Sequence, residues 1–279
     1  MCNVVGVVTS PDKLTGRHQI LTPSPVAIVA AKHDLPVFKP EKLDSANLAH
    51  LKLLKPDYFL VVSYGKIIPN EWLGAAKTLN IHFSLLPKYR GALCIQEALK
   101  NGDVETGVTL MEMVEKLDAG PIISKRKVKI DLSDNIQSLT TKLTTEAITS
   151  ITIDMQEYFN GNIKPIPQNE QQVILTPTTR SLTRTSAFIP WSDLKLALSG
   201  QHSALKLHNL IRSLNPNPGA WTRIPVSSGQ GQVSSEIEVK IVKTSLDTRY
   251  LILDTIQLPG KSPISWSSFL SGHPEVSLT

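Results

Sequence analysis

Cysteine is scarce: the 279 residues hold only Cys2 and Cys94, far apart and outside any metal-ligand spacing. That excludes a disulfide framework and a cysteine-built zinc site, suits a reducing compartment, and leaves neither thiol with the surroundings of a nucleophile. Long apolar runs are missing as well. None approaches the roughly 20 residues that cross a bilayer, so no membrane span is expected. The opening MCNVVGVVTSPDK has no basic segment ahead of its apolar run and no Arg-rich amphipathic helix. Neither a secretory signal nor a transit peptide is therefore read there, and a cytoplasmic location is the expectation, or the mitochondrial matrix if a leader precedes this segment. Charge of one sign is not in large excess either. The 29 Lys/Arg against 24 Asp/Glu give +5, which permits an anionic partner without requiring one. No repeat of fixed period runs through the chain.

What is present is enough sequence for two domains, since single domains commonly run to roughly 100–200 residues. From Asn3 to about Thr109 short apolar runs alternate with helical patterns, the sign of strand-helix-strand units around a parallel sheet. VVGVV (4–8) and YFLVV (58–62) read as strands covered on both faces. Between them, Ser24 followed by Pro25 opens one helix, and Asp44 or Ser45 opens a second that ends near Lys55. Residues 78–83 and 107–112 read as strands, with a helix over 92–101. Ser133 caps a long helical pattern carrying Ile136, Leu139, Leu143, Ile148, Ile151 and Met155. The stretch after Gly161, NIKPIPQNEQQVILTPTTR, reads as an extended linker. Beyond it, 201–214 reads as a helix, and IEVKIVKTS and YLILDTIQL as paired strands of a small β-rich domain. The basic cluster KRKVK (125–129) alternates with Val128 and Ile130 and reads as the wet face or edge of a strand.

Three segments can carry chemistry. In NIHFS, period-two alternation turns Asn80 and His82 to one side of a strand. At the carboxyl end of a parallel sheet, an amide beside an imidazole suits stabilisation of a carbonyl oxyanion and movement of a proton. A hydrogen-bonded structural histidine fits the same residues. In MVEKLDAGPI, Asp118 precedes an Ala-Gly-Pro turn; it either brings a carboxylate to His82, fixing the imidazole tautomer, or only closes its own turn. In VSYGKIIP, Gly65 and Pro69 frame a loop against which a flat aromatic ligand can lie, or which simply starts the next helix.

Taken in order, these segments resemble the folate-dependent formyltransferases, and among them those acting on methionyl-tRNA. The resemblance runs through VVGVVTSPDKLTGR, LTPSPV, LPVFKP, VVSYGKIIP, LNIHFSLLPKYRG, QEALKNGDVETGVTLMEM and LDAGPI, and more loosely through IRSLNPNPGAW. It implies transfer of a formyl group from 10-formyltetrahydrofolate to the amino group of methionyl-initiator tRNA, with no metal, by a monomer. Asn80, His82 and Asp118 match the family's catalytic Asn, His and Asp. The folate is expected against Ser63, Tyr64, Gly65, Lys66, Ile67 and Ile68, with Ser84, Leu85, Leu86, Pro87 and Leu117 completing its surroundings. Arg17, Arg90 and Gly91 fall to the acceptor, with Arg90 either binding a phosphate or fixing its loop.

The implied fold is α/β: a Rossmann-like catalytic domain with a mostly parallel sheet over 1–160, a linker over 161–190, and an OB-like β-barrel that holds tRNA over 191–279. From 181 onward 9 Lys/Arg face 6 Asp/Glu, a mild basic excess for a nucleic-acid partner. Relative to the family, the strand, Gly-Thr-Pro loop and helix expected ahead of Cys2 are missing from this sequence. His18, Gln19 and Ile20 stand where lysines are usual, Cys94 stands for a proline, and Phe83 for a small residue. Two other readings stay open: an amino-sugar nucleotide N-formyltransferase, and a truncated homologue that binds folate or RNA without turnover.

Overall fold

The computed structural model describes residues 2–16, 18–177, 182–201, 203–227 and 233–276. The chain forms two compact units, Met1–Arg90 with Val108–Arg126 and Glu146–Val173, and Gly91–Gly107 with Lys127–Thr145 and Ile174–Thr279.

The first unit opens with β1 (Val7–Val8), a hairpin of β2 (Lys13–Thr15) and β3 (Ile20–Thr22), helix α1 (Pro25–Lys32), and β4 (Val37–Phe38), which runs parallel to β1. Ser24 caps α1, its Oγ accepting from the Ala27 N–H at 3.1 Å with Pro25 in the first turn. Asp44 does the same for α2 (Ser45–Lys52), accepting from the Asn47 N–H at 2.9 Å. Next come β5 (Tyr58–Val62), α3 (Asn70–Leu73) and β6 (Lys77–His82). Leu48, Leu51 and Trp72 form a buried cluster against Phe59 and Ile68. After β7 (Lys88–Arg90) and α4 (Cys94–Lys100), β8 (Glu105–Glu112) and β9 (Ile122–Lys129) complete a sheet ordered β5-β6-β8-β9.

That sheet is mixed, which corrects the expected mostly parallel, Rossmann-like arrangement. β5 and β6 are parallel, but β8 returns antiparallel to β6, with Met111 opposite Asn80 and Thr109 opposite His82. A strand-helix-strand pattern carries no record of direction, and here the chain re-enters the sheet from the other end. The runs expected to be covered on both faces are not: Val4, Val5, Leu60 and Val62 are exposed. Among the described residues β5 is an edge strand of its sheet and β1 pairs only with β4. The basic residues Lys125, Arg126 and Lys127 lie exposed on β9, the opposite edge.

Helix α5 (Ile136–Phe159) follows. Its start is closed by Asn135 rather than Ser133. Asn135 Oδ1 accepts from the Ser138 N–H and Ser138 Oγ accepts from the Asn135 N–H, both at 3.0 Å, a reciprocal pairing that satisfies two donors at the helix start. Leu139, Leu143, Ile151 and Met155 are buried, but Ile148 is 72% exposed and Ala147 takes the inward position.

In the second unit, β10 (Ile174–Leu175), α6 (Trp191–Leu198) and α7 (Ala204–Leu214) precede β11 (Trp221–Ser227), β12 (Val233–Asp247), β13 (Tyr250–Gln257) and β14 (Ile264–Ser265), with α8 (Trp266–Gly272) last. The four strands form an antiparallel meander in sequence order. The expected OB-like barrel is not formed: no pairing joins β11 to β14 among the described residues. Closure requires the sheet edges to meet, and here helices cover the apolar face instead. Leu194 and Ala197 of α6, Leu207 and Ile211 of α7 and Phe269 of α8 pack with Val239, Ile241, Leu251, Leu253 and Ile256 of the sheet. Buried Arg212 of α7 donates to the carbonyls of Asp131 (3.0 Å) and Asp134 (3.3 Å), tying the helix to that turn. Among the described residues no helix is long and apolar enough to cross a membrane.

Candidate active site

β6 is buried at every position after Lys77. Its period-two alternation sets Asn80 and His82 on one face near the strand's carboxyl end, and both side chains are buried. His82 Nδ1 lies 3.7 Å from Asp118 Oδ2, and Nε2 lies 2.9 Å from the carbonyl oxygen of Tyr89. A carbonyl only accepts, so Nε2 carries the proton in this arrangement and Nδ1 faces the carboxylate. At 3.7 Å the contact between imidazole and carboxylate is longer than a direct hydrogen bond.

Asp118 reaches this position from the loop between β8 and β9, with φ 46°. Aspartate tolerates the left-handed region better than most residues. Gly120 makes the loop possible by close approach, since a Cβ there would meet the backbone of Glu112. The loop's outer side is bonded to the segment read as a linker: Gln168 Nε2 donates to the carbonyls of Asp118 and Gly120, both at 2.8 Å. Sequence reasoning passed over Gln168. The only signal was its place in the alternation Ile166, Gln168, Glu170 inside a polar, proline-bearing stretch.

The loop after β6 is held from within. Ser84 Oγ donates to the Lys88 carbonyl at 2.6 Å, Thr109 Oγ1 donates to the Ser84 carbonyl at 2.6 Å and accepts from the Leu86 N–H at 3.2 Å, and Lys125 Nζ donates to the Leu86 carbonyl at 2.9 Å. Of the four residues expected here to line the folate, Ser84 and Leu86 are fully buried in this bonding, while Leu85 and Pro87 are half-buried. Leu86 packs its side chain with Met111 and Ile122. Arg90 is 1% exposed. Its Nη2 donates to Gln168 Oε1 at 2.9 Å and to Glu170 Oε1 at 2.7 Å. A guanidinium so placed fixes the loop. Glu170 also takes Lys116 Nζ at 2.8 Å, and the two cations, Arg90 foremost, hold its carboxyl down at about 2. Gly91 is buried in the second unit with φ 113°, and a Cβ there would strike Thr176. Arg17, the remaining acceptor-side expectation, lies outside the described residues.

The loop from Ser63 to Ile68 follows β5. Ser63 (φ 48°) and Gly65 (φ 75°) both turn left-handed, which glycine adopts freely. Lys66 Nζ donates to the Glu41 carbonyl at 2.9 Å, pinning the loop. Ile68 packs into the Leu48–Trp72 cluster, whereas Ile67 is 83% exposed and Leu117 is exposed on its own loop. The Tyr64 hydroxyl is buried with no hydrogen-bond partner among the described residues, and burial pushes the phenol up from its ordinary value. A buried hydroxyl left unpaired fits a ligand that presents a polar edge at this loop. No group of three or more His, Cys, Asp or Glu set to hold a metal occurs among the described residues.

A buried amide and imidazole with a half-buried carboxylate can stabilise charge on a carbonyl oxygen and hold a proton. Comparison with known proteins identifies the family. A profile described as formyl transferase matches residues 1–152. The chain is 38% identical over 225 residues to the methionyl-tRNA formyltransferase of Lactobacillus gasseri, covering 80% of this chain and 68% of that one. It is 34% identical over 287 residues to that of Bacillus velezensis, covering 96% and 87%. Among solved structures, HypX from Aquifex aeolicus in complex with tetrahydrofolic acid superposes with TM-score 0.60 at 16% identity, covering 97% of this chain, which spans about half (48%) of the HypX chain. The methionyl-tRNA formyltransferase from Clostridium thermocellum gives 0.58 at 16% over 85% and 95%. A sugar N-formyltransferase from Shewanella gives 0.55 at 16% over 79% and 80%. At such identity the structural likenesses speak for the fold alone.

Proposed function

Because the chain belongs to the formyl transferase family, we propose that it transfers the formyl group of 10-formyltetrahydrofolate to the amino group of methionyl-initiator tRNA. The observation that carries the reading is the buried cluster at the end of β6, with Asn80 and His82 on one strand face and the Asp118 carboxylate 3.7 Å from His82. The choice of acceptor rests on sequence relatives that are methionyl-tRNA formyltransferases over most of this chain's length.

The folate supplies an electrophilic formyl carbon, held against the Ser63–Ile68 loop with its polar edge toward the Tyr64 hydroxyl. The side-chain amide of Asn80 donates to the formyl oxygen as negative charge gathers there, an interaction stronger in the transition state than before it. The imidazole of His82, its Nε2–H fixed on the Tyr89 carbonyl, turns Nδ1 toward Asp118. As the amine nitrogen bonds to the formyl carbon and the carbonyl π bond opens onto oxygen, Asp118 receives the proton the amine sheds and shares it with His82 Nδ1. As the intermediate collapses, the bond from the formyl carbon to the folate nitrogen breaks, and that nitrogen takes the proton and leaves in tetrahydrofolate. Burial of Asn80 and His82, with Asp118 half-buried, limits bulk water at the cluster, which strengthens each of these interactions.

The second acceptor is an amino-sugar nucleotide, whose amine would meet the same Asn80, His82 and Asp118 side chains. Purified protein incubated with 10-formyltetrahydrofolate and charged initiator tRNA is expected to yield formyl-methionyl-tRNA. His82→Ala or Asp118→Ala should lower turnover about 100-fold or more while the fold persists. A formylated sugar nucleotide as the sole product would move the assignment to the second acceptor, and full turnover in both variants would remove the cluster's role.

A further inference from the structure

The segment after Gly161 is extended, but it is bonded along its length to the loop that carries Asp118. Ile166 and Ile122 exchange both backbone hydrogen bonds, each 2.8 Å. Two residues on, the Gln168 amide reaches the carbonyls of Asp118 and Gly120, and two further on, Glu170 takes Lys116. Alternate side chains of an extended segment face one way, so 166, 168 and 170 form a strap running antiparallel to the loop from Ile122 back to Lys116.

Gln168 is the centre of that strap. A primary amide has two N–H donors and two acceptor lone pairs, and here all four are engaged. Its Oε1 accepts from Arg90 Nε at 3.1 Å and Nη2 at 2.9 Å, and its Nε2 donates to the two loop carbonyls at 2.8 Å each. Arg90 is enclosed, so one end of this bridge is rigid. The other end holds the carbonyls of the two residues that flank Ala119, one of them the backbone of Asp118 itself, which sits at φ 46°. The amide thus carries the position of a buried guanidinium to the backbone that aims Asp118 at His82.

We propose that Gln168 is a positioning residue for formyl transfer: it sets the distance between the Asp118 carboxylate and His82 and so sets turnover, without touching either substrate. The inference rests on the reading of Asn80, His82 and Asp118 given above. Two variants separate positioning from mere packing. Gln168→Glu keeps an accepting oxygen toward Arg90 but turns an oxygen against the carbonyls of Asp118 and Gly120; Gln168→Met keeps the length and removes all four hydrogen bonds. Both are expected to lower kcat by about 10- to 100-fold, since small misplacements of reacting groups cost that much. KM for each substrate should stay within about two-fold, because the ground-state contacts are untouched. Amide hydrogen exchange should rise across residues 116–121 in both variants and stay unchanged in β12 and β13. Unchanged kcat in both variants of an active enzyme, a loss confined to KM, or unaltered exchange at 116–121 would each overturn the positioning role alone. A wild type that transfers no formyl group would overturn the site reading and this role with it.

Discussion

Gly120→Ala is the perturbation whose effect the structure sizes most directly. A methyl carbon on Gly120 would stand 1.8 Å from the carbonyl oxygen of Glu112 and 2.8 Å from its carbonyl carbon. Real Cβ atoms do not come closer than 3.0 Å, so loop and strand end must part by the remaining 1.2 Å. Neither side yields easily. The Glu112 N–H donates to the Pro121 carbonyl at 3.0 Å, and Gln168 holds the Gly120 carbonyl at 2.8 Å. Asp118, two residues upstream, is carried along, and a misplacement of about 1 Å in a catalytic group costs about 100-fold in rate. Overpacking of this kind also costs about 1–3 kcal/mol of stability, or roughly 2–10 °C in Tm for a chain of this size. The assay is initial-rate formylation of charged initiator tRNA at saturating folate, paired with a thermal melt of the same preparation. The expected result is a folded protein with a lower Tm and kcat reduced about 100-fold. A variant with wild-type kcat and Tm would refute the close approach itself. One with lowered Tm but full kcat would refute the claim that placement of this loop limits turnover.

Two further outcomes concern the second unit. Thr222 is fully buried and its hydroxyl has no hydrogen-bond partner among the described residues; Thr222→Val is expected to raise stability by about 1 kcal/mol, and a lower denaturant midpoint would contradict this. His208 accepts from Thr244 Oγ1 at 2.8 Å on Nδ1 and donates to the Leu132 carbonyl at 2.9 Å from Nε2, and burial is the main force holding its pKa below the ordinary 6.5. The folded state therefore refuses a proton that the unfolded chain accepts. Stability from this group is full above pH 6.5 and is lost as pH falls below it, with a slope of at most about 1.4 kcal/mol per pH unit. Chemical denaturation between pH 7 and 5 should show His208→Gln losing less stability than the wild type, and parallel curves would refute the neutral, buried imidazole.

The readable parts of this molecule are those governed by neighbours in sequence. Ser24-Pro25 and Asp44 cap their helices as read, because a cap is a bond between residues three apart. The spacing of Asn80 and His82 specifies a shared strand face for the same reason. The long helix was legible, but its inward stripe was not fully so. Ile148 points out and Ala147 in, since a run rich in apolar residues and threonines lets more than one stripe satisfy helical spacing. Glycine at position 120 was read as a turn former, whereas its requirement is a strand passing beside it.

Asp118 shows the boundary from the other side. Its chemistry was legible, but the 3.7 Å contact with His82 joins residues 36 apart in sequence. Arg90 was read with two roles open; enclosure by Gln168 and Glu170, some 80 residues away, is what turns its guanidinium inward. Gln168 carried almost no local signal, because a glutamine in a polar, extended stretch looks the same whether it faces water or bridges a buried cation to a backbone turn.

By itself the chain's order of residues determined the caps of α1 and α2, the shared strand face of Asn80 and His82, and the family it belongs to. Strand direction in the mixed sheet, the open meander where a barrel was expected, and the strap on the Asp118 loop were decided only in three dimensions. The physical reason is the range of the interactions: caps and periodicity act over three or four residues, whereas sheet closure, burial of a guanidinium and the aim of a carboxylate depend on partners brought together by the completed fold.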